Sequence, residues 1–167
     1  MSENEKRSRR CCFTGHRPEK LKLPESTIYY KLAQAIEFAI DQGMSTFICG
    51  MARGIDLWAG QVVIEKKNIY SEIKLICATP YLGFERRWDI DWQKIYASVA
   101  SHADYKVAIS KQYDPSCFQR RNEWMVTHSS MVIAAYNGKQ GGTRNTIHFA
   151  KECGIPVYNI LNFALDI

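Results

Sequence analysis

The sequence has no long apolar run. No stretch approaches the ~18 consecutive apolar residues of a membrane-spanning helix, and no apolar segment of signal-peptide length follows the charged N-terminus "MSENEKRSRR". These absences argue against an integral membrane protein and against a secreted one. We therefore expect a cytoplasmic protein with no membrane partner.

Both standard phosphate-binding fingerprints are also missing. No Gly-x-Gly-x-x-Gly follows the first apolar run, and no Gly-x4-Gly-Lys-Ser/Thr occurs anywhere. Because these motifs mark dinucleotide-binding dehydrogenases and P-loop enzymes, the sequence disfavours both classes. We expect no bound cofactor.

The chain has six cysteines but no Cys-x-x-Cys spacing. Cys12, Cys49 and Cys77 fall inside or beside apolar runs, where buried, reduced thiols are the better interpretation than disulfides. Without paired ligand spacing, no metal site is expected.

Acidic residues are outnumbered, 17 against 22 basic ones, which gives a net charge of +5. Five of the cations lie near the N-terminus: Lys6, Arg7, Arg9, Arg10 and Arg17. A solvated tail accounts for most of this excess, so charge alone does not predict a nucleic-acid partner.

What the sequence does contain is an alternation of short apolar runs with longer amphipathic ones. The predicted strands are 10–14, 46–50, 73–78, 105–109, 131–136 and 156–160, and the predicted helices are 26–41, 55–67, 84–99, 116–128 and 143–152. Alternating strands and helices indicate parallel pairing and right-handed crossovers. We predict a flexible tail, residues 1–9, and a single domain, residues 10–167, with a Rossmann-like three-layer α/β/α fold and a mainly parallel sheet.

Glycine and cations follow several of the predicted strands. The loops are "TGHRP" (14–18), "GMARGID" (50–56), "TPY" (79–81) and "NGKQGGT" (137–143). In such sheets ligands bind beyond the carboxyl ends of the strands, where glycine allows close approach and helix N-termini attract anions. The predicted ligand-binding residues in these loops are Thr14, Gly15, His16, Arg17, Gly50, Met51, Ala52, Arg53, Gly54, Asp56, Thr79, Pro80, Gly141, Gly142 and Thr143.

Two of these side chains have more than one interpretation. His16 titrates near neutral pH, and without a Ser or Cys partner it is better suited to a ligand hydrogen bond or to holding the loop. Asp56 also fits the first turn of a helix, where a carboxylate complements the helix dipole. After the third strand, Tyr81 and Trp88 are candidates for stacking on a base, with the core as the alternative for Trp88.

Four segments together resemble the YpsA family of the SLOG superfamily. They are "CCFTGHRPEKL", "GMARGIDLWAG", "RNEWMVTHSSMVIAAYNG" and "GGTRNTIHFAKECGIPV", and the resemblance covers residues 11–160. The superfamily includes the DNA-processing protein DprA, whose sequence has a similar "GLARGID"-like segment, and the LOG phosphoribohydrolases. The resemblance implies a Rossmann-like fold whose strand ends bind a nucleotide or nucleotide-derived ligand.

The LOG enzymes use an arginine in a helix before a strand and a glutamate after a glycine-rich loop. Arg121 matches the arginine and is followed by Asn122 in place of lysine, so the resemblance adds both residues to the binding site. No glutamate follows Gly142 before Glu152. Asp56 or Glu123 would have to replace it, which makes Arg121, Glu123 and Asp56 the candidate catalytic residues.

Three functions follow as hypotheses. The first is binding of a nucleotide or phosphorylated sugar derivative by a sensor, sequestering or regulatory protein. The second is N-glycosidic hydrolysis, and the third and less favoured is DprA-like single-stranded DNA binding. The resemblance also implies a homo-oligomer.

Overall fold

A computed structural model of the chain describes residues 1–161, in which strands and helices alternate from Arg10 onward. The strands are β1 (Arg10–Gly15), β2 (Thr46–Cys49), β3 (Lys74–Tyr81), β4 (Tyr105–Ser110), β5 (Met131–Ala135) and β6 (Val157–Asn159). The helices are α1 (Glu3–Arg7), α2 (Glu25–Asp41), α3 (Ile55–Lys67), α4 (Ile90–Ser101), α5 (Cys117–Thr127) and α6 (Gly142–Glu152), and Pro18–Lys20 forms one turn of 3-10 helix.

The strands form one parallel sheet in the order β4-β3-β2-β1-β5-β6. From β1 the chain winds outward through β2 and β3 to the edge strand β4. It then crosses back to β5, which pairs with the other side of β1. This confirms the predicted Rossmann-like sandwich and creates a switch in strand order between β1 and β5.

Each face of the sheet has its own apolar core. Helices α2, α3 and α4 cover one face, where Cys11 and Phe13 of β1 join the larger core, and α5 and α6 cover the other, where Cys12 joins a smaller one. All five residues of β5 are buried. That burial explains why β5 is apolar throughout rather than alternating.

The predicted aromatic helix, 84–99, is wrong in its first half. Helix α4 begins only at Ile90, because Asp89 is extended and its carboxylate accepts a hydrogen bond from the Trp92 amide at 3.1 Å. An aspartate in this position caps a helix and so sets its start. Phe84 and Trp88 precede the cap in turns, and their helical spacing reflects packing rather than helix.

The third strand continues past the predicted end at Ala78. Proline is disfavoured within strands, yet β3 runs through Pro80 to Tyr81, which pairs with Ser110 of β4. Strand β2 ends opposite Cys77, so no strand on that side needs an N–H group from Pro80. Helix α4 ends at Ser101, two residues after its predicted end, and the other predicted bounds from β1 to β6 agree with the structure to within one residue at each end.

The N-terminal segment is helical rather than irregular. Ser2 and Glu5 form a reciprocal capping box at the start of α1, and Arg7 donates a hydrogen bond to the Ser129 carbonyl at 3.2 Å. A Ser-x-x-Glu spacing is typical of the start of a helix, so the sequence itself indicated α1. The division into a flexible tail and a single domain stays a prediction, and its residues 162–167 lie outside the described part of the chain.

The predicted buried thiols are confirmed. Cys12, Cys49 and Cys77 are buried and unpaired, and burial raises the pKa of Cys12 and of Cys77 to about 12. Such thiols are poor nucleophiles and metal ligands at neutral pH. Across residues 1–161, no helix has the length and apolar character needed to cross a membrane.

Candidate functional site

A cleft lies at the carboxyl ends of β1, β2 and β5, where the strand order switches. Its volume is about 330 Å³, at the lower end of the roughly 300–1,000 Å³ range of small-molecule sites. Its lining residues are Phe13, Thr14, Gly15, His16, Arg17, Lys20, Ala52, Asp56, Phe118, Arg121, Asn122, Gly141, Gly142 and Thr143.

The loop after β1 supplies one wall of the cleft. A Cβ atom on Gly15 would lie 2.3 Å from Ile55 Cγ1, so glycine is required for α3 to begin against the end of β1. Arg17 and Lys20 are exposed and place two cations at the cleft. The turn Pro18–Lys20 is tied to the loop after β5, because Asn137 donates a hydrogen bond to the Lys20 carbonyl at 2.9 Å.

His16 is buried in this wall with only 4% of its surface exposed. Its ring stacks on Tyr136, with 5.6 Å between the ring centroids, and its Nε2 atom is buried without a hydrogen-bond partner. Burial lowers the pKa of His16, and the nearby charges of Lys20 and Lys139 lower it further. The ring is therefore neutral at neutral pH, with one polar nitrogen unsatisfied beside the cleft.

The "GMARGID" loop after β2 forms the floor. Met51 has a φ of 65° and Gly54 a φ of 90°, so the loop contains two residues with positive φ before α3. The buried Asp56 carboxylate reaches back into the loop and accepts a hydrogen bond from the Ala52 amide at 3.2 Å. Burial raises the pKa of Asp56, an effect that the charge of Arg121 and the Ala52 hydrogen bond offset only in part.

Arg121 enters the same floor from α5. Only 4% of its surface is exposed, and its Nη1 atom donates a hydrogen bond to the Gly50 carbonyl. Its Nε atom donates to Asn122 Oδ1 at 2.8 Å, and its guanidinium carbon lies 5.9 Å from the centre of the Phe118 ring. Burial lowers the pKa of Arg121, while the charge of Asp56 raises it. The guanidinium thus holds the loop and borders the cleft at once.

The start of α6 forms the remaining wall. Gly141 occupies the N-cap position with a φ of 141°, and Gly142 and Thr143 open the helix. Glycine has no side chain to accept from the first amides of the helix, which have no acceptors within it. A Cβ on Gly141 would lie 3.8 Å from Lys20 Nζ, and a Cβ on Gly142 would lie 3.8 Å from Asn122 Nδ2, so both would fit at ordinary van der Waals distance beside the cleft. This wall presents backbone N–H groups and a helix dipole to an anion.

The structure brings together most, but not all, of the residues predicted to form the site. Eleven of them line the cleft: Thr14, Gly15, His16, Arg17, Ala52, Asp56, Arg121, Asn122, Gly141, Gly142 and Thr143. Gly50, Met51 and Gly54 shape the floor without lining the cleft. Gly50 and Met51 are buried, and a Cβ on Gly54 would lie 2.8 Å from Pro18 Cδ.

Four predicted residues have other partners. Arg53 forms an ion pair with Glu19 at 2.6 Å, and Glu123 accepts a hydrogen bond from Gln119 at 2.9 Å. Thr79 and Pro80 are buried within β3, where the Thr79 hydroxyl donates to the Val107 carbonyl at 3.4 Å. These residues lie outside the cleft because β3 is two strands from the switch point, and because Arg53 and Glu123 point to other neighbours.

Sequence reasoning missed Phe13, Lys20 and Phe118 in the lining. Phe118 precedes Arg121 by three residues, and residues three apart share a helix face. Its place beside Arg121 could therefore have been predicted from the sequence. Lys20 reaches the cleft because a single 3-10 turn follows Pro18. No comparable pattern marked it in the sequence.

Comparisons with known proteins agree with the fold and with the resemblance. The YpsA family model, described as the YspA SLOG family, matches residues 11–153. The SPbeta prophage-derived protein YoqJ of Bacillus subtilis (strain 168) is 32% identical, over 90% of this chain and 95% of its own. A UPF0398 protein of Staphylococcus aureus (strain JH9) is 28% identical, over 79% of this chain and 70% of its own.

A solved structure of DNA processing protein A from Helicobacter pylori superposes with a TM-score of 0.67. The match covers 98% of this chain and 69% of that one, at 17% sequence identity, and that structure concerns single-stranded DNA binding. At this identity the likeness establishes a shared fold alone.

Proposed function

The chain belongs to the YpsA family of SLOG proteins, and from that premise we propose that it binds a small phosphorylated ligand, a nucleotide or nucleotide derivative, in the cleft between β1 and β5. The ligand's phosphate lies at the start of α6, against the amides of Gly142 and Thr143. The protein acts as a sensor, a sequestering protein or a regulator.

The charges around the cleft support an anion. Arg17, Lys20 and Arg121 line it, and Asp56 is the one carboxylate among its lining residues. Asp56 is buried in the floor and already accepts the Ala52 amide, so it does not cancel the exposed cations. An uncapped helix start facing three cations is a favourable environment for phosphate.

The observation that carries the proposal is the unpartnered Nε2 atom of His16. Leaving a buried polar atom without a partner costs about 1–3 kcal/mol, so native proteins rarely keep one without a use. Because His16 lines the cleft, a ligand hydroxyl or phosphate oxygen bound there supplies the missing hydrogen bond. The stack on Tyr136 holds the imidazole in place for it.

Isothermal titration calorimetry with AMP, ADP-ribose and ribose 5-phosphate tests this function. His16→Phe keeps the aromatic stack and removes the nitrogen, and Lys20→Ala removes an exposed cation without touching the core. We expect each variant to weaken binding about five- to tenfold, the range of one charge-assisted or buried hydrogen bond. Lys94→Ala, which removes an exposed cation of α4 outside the cleft, is the matched control.

Two outcomes count against the proposal. One is that none of the three ligands binds at millimolar concentration. The other is that His16→Phe and Lys20→Ala bind as tightly as Lys94→Ala, since the ligand would then lie outside this cleft.

A second candidate function, N-glycosidic hydrolysis, is favoured by the position of Asp56. Its carboxyl group is in the cleft, 7% exposed, with a raised pKa, and a general acid of a glycosidic cleavage needs that property. Glu123, the other candidate, faces Gln119 instead. Incubation with AMP followed by chromatography for free adenine decides between binding and catalysis. Release that survives Asp56→Asn excludes this residue as the acid.

The partners follow the same reasoning. Single-stranded DNA stays the less favoured partner, because the cleft cations face a small concave site rather than an open groove, and a mobility shift that weakens steeply with salt would support it. A homo-oligomer and a cytoplasmic location stay predictions. Native mass spectrometry of the purified protein reads the oligomeric state and any retained ligand in one measurement.

A further inference from the structure

We propose that the cleft continues over Phe118 onto an aromatic shelf, formed by Phe118, Tyr81 and Tyr113, whose rings meet edge-on, and that the exposed ring of Tyr113 stacks against the planar base of the ligand while Tyr81 supports it. This inference rests on the proposed function, and it narrows the ligand from any sugar phosphate to one that carries a base. In the resulting arrangement the phosphate lies at α6 and the base at the far side of α5's first turn.

Phe118 is the residue that joins the cleft to the shelf. Its ring lines the cleft and is only partly buried, and the Arg121 guanidinium lies 5.9 Å from its centre. On the shelf side its centroid is 6.2 Å from that of Tyr81, at an interplanar angle of 80°. A ligand that leaves the cleft past Phe118 therefore meets a second aromatic ring at once.

Tyr113 extends the shelf outward. Its ring is edge-on to Tyr81, with 5.7 Å between centroids, yet 60% of the residue is exposed to solvent. Phe84 and Trp88 lie behind the shelf and contact each other edge-on at 5.0 Å, and Phe84 is buried. Trp88 thus belongs to the packing beneath the shelf, while Tyr81 and Tyr113 are placed to meet a ligand.

The shelf extends the site beyond the cleft. Phe118 is among the lining residues of the cleft and Tyr81 and Tyr113 are not, so a base stacked on those two residues lies outside the phosphate site. Aromatic side chains are the usual platform for nucleobases, because every base has a π-face to stack. An anion subsite and an exposed aromatic platform, joined through one residue, match a ligand with phosphate at one end and a base at the other.

The experiment compares AMP with ribose 5-phosphate, two ligands that share the phosphate and ribose and differ in the base. Calorimetry on the wild type should show AMP binding about tenfold more tightly than ribose 5-phosphate, which is the smaller end of what stacking contributes per base. Tyr113→Ala should lower AMP affinity about fivefold and leave ribose 5-phosphate unchanged. Tyr105→Ala is the matched control, because Tyr105 is 67% exposed at the opposite end of β4.

Three results overturn the shelf while leaving the proposed cleft intact. They are equal binding of the two ligands by the wild type, an equal loss for both ligands in Tyr113→Ala, and a preference for AMP that survives both Tyr113→Ala and Phe118→Leu. The leucine keeps apolar volume in the core and removes only the ring. If neither of these ligands binds, the shelf fails, and if ADP-ribose does not bind either, the proposed function fails with it.

Discussion

The two glycine-rich loops of this protein look alike in sequence and differ in what the glycines face. In the loop after β2, a Cβ on Gly50 would lie 2.7 Å from Asp56 Oδ2 and 3.1 Å from Arg121 Nη1. In the loop after β5, a Cβ on Gly141 or Gly142 would have no atom nearer than 3.8 Å. Gly50 is needed because the Asp56 and Arg121 side chains occupy the space that a larger residue would take. Gly141 and Gly142 have no such close neighbours at the start of α6.

This difference separates a scaffold from a surface for binding. The first loop is held by the Asp56 bond to the Ala52 amide, the Arg121 bond to the Gly50 carbonyl and the ion pair of Arg53 with Glu19. The second loop opens α6 with free amides toward the cleft. We infer that "GMARGID" positions groups and that "GGT" contacts the ligand.

Gly50→Ala should have the largest effect on stability. The added methyl overlaps the Asp56 carboxylate and the Arg121 guanidinium, neither of which has room to move in a buried floor. Overpacking of this kind costs about 1–3 kcal/mol of unfolding free energy. Urea denaturation followed by circular dichroism measures it, and a stability within error of the wild type would mean that the floor is looser than the structure indicates.

Gly142→Ala should leave stability intact and weaken ligand binding instead. Its methyl group fits at ordinary van der Waals distance, 3.8 Å from Asn122 Nδ2, at the first position of α6. Alanine is the better helix former there, so stability should be unchanged or raised by up to about 1 kcal/mol. The same methyl narrows the approach to the helix amides, and AMP affinity should fall about tenfold, or about 1.4 kcal/mol. Denaturation and calorimetry on the same sample separate the two effects. Unchanged AMP affinity would remove the contrast between the loops.

The sequence was sufficient for the sheet and for the position of the cleft, and insufficient for the roles of individual residues. Alternating apolar runs predict parallel strands, and the loops after β1, β2 and β5 lie at the cleft, whereas Thr79 and Pro80 are buried in β3. Gly50 and Gly142 are both glycines in the sequence, however, and only the structure shows that they have different roles. The role of Gly50 depends on Asp56 and on Arg121, which lies 71 residues from Gly50 along the chain. Likewise, the capping role of Asp89 was not distinguishable from the helical spacing of Phe84, Trp88 and Trp92.

The buried carboxylate of the first loop should make stability depend on pH in a specific direction. Burial raises the pKa of Asp56 above its ordinary 3.8, so the folded state holds the proton more tightly than the unfolded chain. The resulting stabilisation is fully present below the unfolded pKa and is lost as pH rises through the folded one. Asp56→Asn keeps an acceptor for the Ala52 amide and cannot titrate.

Urea denaturation of the wild type and of Asp56→Asn, from about pH 4 to pH 7, tests this effect. The difference in unfolding free energy, wild type minus variant, should decrease as pH rises. Exposed carboxylates with lowered pKa values, such as Glu3, titrate equally in both proteins and cancel. A difference that increases with pH would show that the charge of Arg121 outweighs burial at this site.

Arg53→Ala should have the smallest effect on stability and on AMP binding. It tests directly whether the loop after β2 is structural or contacts the ligand. From sequence, an arginine between two glycines at a strand end predicts a phosphate contact. In the structure its guanidinium is 2.6 Å from Glu19 and joins the loop after β2 to the turn after β1. Because the Glu19 side chain is 58% exposed, such a pair contributes about 0–1 kcal/mol of stability. We expect a loss of stability in that range and AMP affinity within about twofold of the wild type.

Glu19→Gln is the matched variant, since it breaks the same ion pair and leaves the charge of Arg53. If Arg53→Ala abolishes AMP binding while Glu19→Gln does not, the arginine leaves Glu19 to contact the ligand, and the first loop takes part in binding after all.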